Sequence, residues 1–244
     1  MKLIYIVDFF LIYSFIGWIL ESIYKTIFAK KFVNSGFLHG PFCPIYGIGA
    51  LIMYVFLSLC NNVITVFLSG FVVLSVWEYI VAWGLEKLFH EKYWDYSNKK
   101  FNINGRVCLL NSIFWGGLGV IFTYIVHPFI ESQIININNI MLIIGTIVLI
   151  IGLTIDTIIS VIKLNSIAKK LEAIKEISNQ IKEKLQELKV TNNAKESIQL
   201  LINDLKEQEL KLKDKLVKQT ERIRKAFPTM KSETFKQIAK YRRK

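Results

Sequence analysis

Five stretches of this 244-residue chain are long and apolar enough to cross a bilayer, and this limits the possible folds more than any other feature. A helix needs about 20 mainly apolar residues to span roughly 30 Å of hydrocarbon at about 1.5 Å per residue. The stretches are Leu3–Ile27, Phe42–Cys60, Val63–Leu88, Val107–Ile130 and Ile140–Ile162. Pro41, Pro44, Gly47 and Gly49 crowd the start of the second and predict an irregular entry. Asp8 interrupts the first apolar run and no small-x-small cleavage site follows, so this span is expected to be retained rather than removed as a signal peptide.

The remaining chain has the opposite character. Residues 1–162 hold 9 Lys or Arg against 8 Asp or Glu, a net of +1, whereas residues 163–244 hold 22 against 11, a net of +11. A mean hydropathy of +0.38 beside a net charge of +12 is therefore a segregation of two parts. It excludes an ordinary soluble domain and a disordered chain. The predicted fold class is all-α: a polytopic membrane helix bundle of about five spans followed by a cytoplasmic helical hairpin or coiled coil. The predicted domains are 1–162 in the membrane, 163–227 as the hairpin and 228–244 as a basic C-terminal segment.

Cytoplasmic loops retain excess Lys and Arg. Lys25, Lys30 and Lys31 follow the first span, and Lys87, Lys92, Lys99, Lys100 and Arg106 surround the connection between the third and fourth. The connections Asn61–Asn62 and Glu131–Asn139 contain none. A cell-membrane protein with its N-terminus outside and its C-terminus in the cytoplasm satisfies every loop. Hydropathy leaves open a re-entrant element within 34–49.

In the tail, Leu164, Leu171 and Leu185, with Ile167, Ile174, Ile181 and Leu188 between them, form an apolar seam among Lys, Glu and Gln. The pattern breaks at Val190-Thr-Asn-Asn193 and resumes with Ile198, Leu205 and Leu212 beside Ile202, Leu216 and Ile223. Such helices fold back on each other or pair between protomers. The positive charge is expected to meet anionic membrane lipids, and no recognition module points to nucleic acid.

Glu21, Glu78 and Asp156 lie inside predicted spans, where a carboxylate costs roughly 2.5–3.5 kcal/mol and normally faces the protein interior. Counted from the outer ends, all three reach one layer at roughly 23–27 Å, at about 1.5 Å per residue. Two interpretations stand side by side: structural pairing, with Lys25 one turn from Glu21 and Arg106 at the start of the fourth span, or a cytoplasm-facing polar site for substrate or ions. The segment from Asn34 to Gly49 carries Gly36, His39, Gly40, Pro41, Pro44 and Gly47 and cannot be an ordinary helix. Such backbone either lines a cavity or makes a tight entry turn. Trp94 and Tyr96 in the next cytoplasmic loop fit an aromatic belt, and Asp95 with Arg106 could complete a site.

Cys43, Cys60 and Cys108 lack C-x-x-C spacing and read as small buried apolar residues. Ser14, Ser97 and Ser112 lack a G-x-S-x-G context, and His39, His90 and His127 are too scattered for metal ligation. His127-Pro128 is expected to cap a span, and Gly116-Gly117-Leu118-Gly119 to permit close helix packing. No catalytic residue, metal or cofactor is predicted, and the chain lacks the phosphate-binding loop of an ATPase.

Three ordered motifs carry a resemblance. They are Phe10-x-x-Tyr13-Ser14-Phe15-x-Gly17-Trp18-x-x-Glu21-x-x-Tyr24, Gly36-Phe37-Leu38-x-Gly40-Pro41-x-Cys43-Pro44-Ile45-Tyr46-Gly47, and Leu85-Glu86-Lys87-x-Phe89 leading to Trp94-Asp95-Tyr96-Ser97 and Phe101-Asn102-x-x-Gly105-Arg106-x-Cys108-Leu109. Between about Phe9 and Gly119 the chain resembles the bacterial CmpB-like family, whose members carry an ABC-transporter membrane (permease) label. Ser35 stands where that family's loop has Arg. The resemblance implies a multi-pass bacterial membrane protein that serves as a permease component, and adds Trp18 and Tyr46 to the candidate substrate-binding set of Glu21, Glu78, Asp156, Asp95 and Arg106. A separate ATPase subunit is the expected partner, in a homo-oligomer or hetero-complex. The rival expectations are an intramembrane enzyme on a lipid-linked substrate and a scaffold or sensor working through the tail.

Overall fold

The computed structural model describes residues 3–57, 60–89, 92–190 and 195–227. His90, most of the expected break at 190–193 and the basic segment 228–244 lie outside the described residues. The described chain forms six helical rods: α1 (Leu3–Ala29), α2 (Pro44–Leu57), α3 (Val63–Leu88), α4 (Leu109–Ile135), α5 (Asn139–Val190) and α6 (Lys195–Ala226). Four of them, α1, α3, α4 and α5, are long and apolar enough to cross a membrane. A two-stranded antiparallel ribbon, β1 (Asn102–Ile103) with β2 (Val107–Cys108), is the one sheet among the described residues.

The chain divides into two compact units, Met1–Ser160 with Lys225–Lys231, and Val161–Arg224 with Ser232–Lys244. In the first, α1 and α2 pack backbone against backbone because two positions lack a Cβ. A Cβ on Gly17 would meet the Tyr46 side chain at 2.3 Å, and one on Gly47 would meet Ser14 Oγ at 2.2 Å and the Phe10 carbonyl at 2.5 Å. Gly70 of α3 lies against Gly116 and Gly119 of α4, at 3.3 and 3.4 Å from its Cβ position to their Cα atoms. That is the expected role of the glycines in span four, while Gly117 faces open space.

The second span differs from an ordinary one. After α1 ends, with Lys30 at φ 51°, the chain carries no regular structure as far as Cys43, whose amide donates to the Ser14 carbonyl at 2.9 Å. Ser14 lies close to the midpoint of the 27-residue α1. The segment therefore turns back to mid-span depth before Pro44 starts α2, and the 14 residues of α2 cover only about 21 Å at 1.5 Å per residue. Pro44 suits a helix start, since its missing N–H would be unpaired there anyway.

Two π turns interrupt the long spans, at Gly70–Leu74 and Phe122–Val126. The second lies just before His127-Pro128, expected from the sequence to cap the span near its outer end; α4 runs on through both residues to Ile135. The wider turn just upstream relieves the clash between a helical proline ring and the carbonyl one turn back. The connection before α3 is a capping box, in which Asn62 Oδ1 accepts from the Thr65 amide at 2.9 Å and Thr65 Oγ1 accepts from the Asn62 amide at 3.2 Å. Asn62→Ala should lower stability by about 1 kcal/mol, read as a small fall in melting temperature in detergent. An unchanged value would mean that the cap contributes nothing.

In the second unit, Ile167, Ile174 and Ile181 of α5 and Ile198, Ile202, Leu216 and Ile223 of α6 are buried. Lys170 Nζ donates to Gln219 Oε1 at 2.6 Å, joining positions at comparable distances on either side of the break. The buried line runs through the isoleucines and Leu216, whereas Leu185 of the predicted seam is 39 % exposed. A straight helix drifts by about 20° per heptad against a strict seven-residue repeat, so not every seam position keeps the inward face.

Candidate functional site

Glu21, Glu78, Tyr46 and the non-helical segment meet in the first unit. Glu21 Oε1 accepts from Lys25 Nζ at 2.6 Å, and Cys43 Sγ lies 3.3 Å from its other oxygen. Lys25 also donates to Ser35 Oγ at 2.8 Å and to the Ala226 carbonyl, with the Phe227 ring 4.8 Å away. Ser35 is buried beneath an amine supplied by α1.

Glu78 is 5 % exposed and is held by neutral donors: Trp115 Nε1 at 2.9 Å on one oxygen and Tyr96 OH at 3.2 Å on the other. The Asn111 amide lies alongside. Burial, and then the Glu78 carboxylate, push the Tyr96 phenol well above its usual range, so Tyr96 stays a donor. Tyr46 links the two acids, for its ring centroid is 5.7 Å from that of Trp115 and it lies within electrostatic reach of both carboxylates. Glu21 is thus neutralised by a neighbour one turn away, and Glu78 carries its charge, or a proton, among uncharged partners.

Asp156 does different work. Its Oδ1 accepts the His39 amide at 3.0 Å and its Oδ2 the Gly40 amide at 2.7 Å, while His39 Nδ1 lies 2.8 Å from Ser160 Oγ. A Cβ at Gly40 would stand 3.1 Å from Asp156 Oδ2, so glycine is what lets the backbone reach the carboxylate. Trp18 supports the same segment from α1, donating to Asn34 Oδ1 at 2.7 Å, and Asn34 Nδ2 donates to the His39 carbonyl at 2.7 Å. Gly36 needs its positive φ of 90°. Pro41 lies within the same segment, just after the held amides.

Asp95 and Arg106 shape the loop and ribbon between α3 and α4. Asp95 Oδ1 accepts the Ser97 amide at 3.0 Å and closes a turn against Gly105, where a Cβ would come within 2.3 Å of it. Arg106 forms a 2.7 Å ion pair with Glu86, donates to Tyr79 OH at 2.8 Å and stacks over that ring. Trp94 Nε1 donates to the Arg106 carbonyl at 2.9 Å, tying the loop to the ribbon.

Sequence reasoning passed over Trp115 and read Cys43 only as a small buried apolar residue, whereas its Sγ lies beside Glu21. The spacing of Asn111, Ser112, Trp115, Gly116 and Gly119 by threes and fours on span four is the signal that could have marked an inward polar face. It also passed over Asp8, buried and hydrogen-bonded to Thr146, and the pairing of Tyr13 OH with His127 Nδ1 at 2.7 Å.

Helices of membrane-spanning length, packed around buried carboxylates and an irregular segment at mid-span depth, define a polytopic membrane protein. The chain belongs to the family described as Putative ABC-transporter type IV, whose model matches residues 8–161. Its role is accordingly a transporter-related one. Neither a curated protein nor a solved structure matches the chain.

Proposed function

We propose that the chain is the membrane component of an ABC-type transporter, with its N-terminus outside, its C-terminus in the cytoplasm, and Glu78, Glu21 and Tyr46 as the polar site that a substrate meets. The observation that carries this is Glu78: a nearly fully buried carboxylate on a spanning helix, bonded to uncharged donors. Structural carboxylates in membranes are usually paired with a cation, as Glu21 is here, and functional ones are left able to exchange partners. Asp156, Trp18, His39 and Gly40 hold the segment in place and act as positioning residues. The chain has no nucleotide-binding motif, so ATP hydrolysis belongs to a separate subunit, reached through the cytoplasmic loops or the tail.

Purified in mild detergent from its own membranes, the tagged chain should carry a subunit that hydrolyses ATP. Glu78→Gln removes a charge-assisted contact of about 1.5–3 kcal/mol, so hydrolysis by the complex in native lipid should fall about tenfold or more at unchanged recovery. Recovery of the chain alone, without ATPase activity, would overturn the permease reading. Full activity of Glu78→Gln would remove that residue from the site.

A further inference from the structure

The end of α1 away from Glu21 holds a second buried acid. Asp8 is 6 % exposed and its partner Thr146, on α5, is 3 % exposed. Thr146 Oγ1 contacts two oxygens at once, Asp8 Oδ1 and the Leu142 carbonyl, the latter at 2.7 Å. A threonine hydroxyl has one proton to give, and a carbonyl oxygen can only accept. Thr154 and Thr157 of the same helix give theirs to the carbonyl four residues back, and Thr146 has the same geometry toward Leu142. With the Thr146 proton given to the Leu142 carbonyl, the contact with Asp8 takes its proton from the other side, and a protonated carboxyl group at Asp8 supplies it.

Asp8 Oδ2 agrees with this, since it is buried with no hydrogen-bond partner among the described residues. An unpartnered carbonyl oxygen is tolerable in such a place, whereas an unpartnered carboxylate is far more costly. Among the described residues, the titratable groups on the elements packed at this end are Tyr5 and Tyr13 of α1, Tyr54 of α2, and His127 and Glu131 of α4. His127 is engaged by Tyr13 through Nδ1, with Glu131 3.9 Å from its other nitrogen.

We propose that Asp8 and Thr146 form a proton-binding site that closes α1 against α5, loaded while the helices are together and emptied when they part. Water reaching the carboxyl lets it ionise as any exposed aspartate does. Opening at this end and release of a proton are then one event, separate from the chemistry at Glu78.

The test is infrared difference spectroscopy on the full-length protein in lipid vesicles at pH 7. Wild type minus Asp8→Asn should contain the C=O stretch of a protonated carboxyl group, with the other acids cancelling. Asn is neutral and offers an N–H to the Thr146 oxygen, so the fold should persist. In Thr146→Val the same band should remain but shift, because its hydrogen bond is gone. If Asp8→Asn fails to accumulate, the Thr146→Val comparison alone decides. A difference spectrum holding only carboxylate stretches, or no band that moves with Thr146→Val, would overturn the proposal.

Discussion

Asp156→Ala should free the segment between α1 and α2, raising deuterium uptake of peptides covering residues 36–43 about a hundredfold or more. The carboxylate accepts two backbone amides, from His39 and Gly40. Hydrogen bonds to a charged acceptor are worth about 1.5–3 kcal/mol each, and at 1.4 kcal/mol per tenfold the pair accounts for that change in local opening. Asp156→Asn keeps one acceptor oxygen and should fall between. Because the same segment carries Cys43 to Glu21 and starts the helix bearing Tyr46, activity of the complex should fall in step with uptake. Unchanged exchange in Asp156→Ala would show that the segment is held by Trp18, Asn34 and the Cys43 amide alone.

Gly47→Ala should lower the melting temperature by roughly 2–12 °C. The added methyl would stand 2.2 Å from Ser14 Oγ and 2.5 Å from the Phe10 carbonyl, and the carbonyl belongs to the α1 backbone and cannot swing aside. Overpacking of this kind costs about 1–3 kcal/mol, which for a chain of this size gives the stated shift. Gly152→Ala is the matched control. Nothing lies within 4 Å of its Cβ position, and alanine favours the helix, so its melting temperature should hold or rise. Equal losses in both variants would trace the effect to helix propensity and leave the close approach of α1 and α2 without support.

Much of the bundle is legible one helix at a time. Hydropathy alone places the third span at Val63–Leu88, the bounds found in the structure, because a helix in lipid closes its own backbone hydrogen bonds and needs only length and apolarity. The second span is the instructive departure. Its apolar run starts at Phe42, yet its helix is short and begins at mid-span depth, because the Cys43 amide is paired with Ser14 across 29 positions of sequence. The Asn104-Gly105 turn between β1 and β2, with φ of 54° and 70°, was a readable hairpin signal overshadowed by the apolar pattern on either side. In the tail the heptad marks which residues are apolar, and packing between α5 and α6 selects from among them those that are buried.

For the candidate site the division is sharper. Three acids at matching height are visible in the sequence because depth along a helix is a count of residues at a fixed rise. Their partners are not, since a helix's rotation about its own axis is set by the neighbours it packs on. Rotation gives Glu21 to Lys25, Glu78 to Trp115 and Tyr96, and Asp156 to two loop amides, three environments for one residue class. Arg106, within reach of any of them by sequence, goes to Glu86 and Tyr79. The sequence by itself determined that this chain is built of helices apolar enough to span a membrane, because that depends on hydrophobic length, although of the five expected spans only four helices reach spanning length and the second is a helix of 14 residues. Only the tertiary structure decided which carboxylate is neutralised, which holds a loop and which is left among uncharged donors, because that depends on contacts between helices distant in the chain.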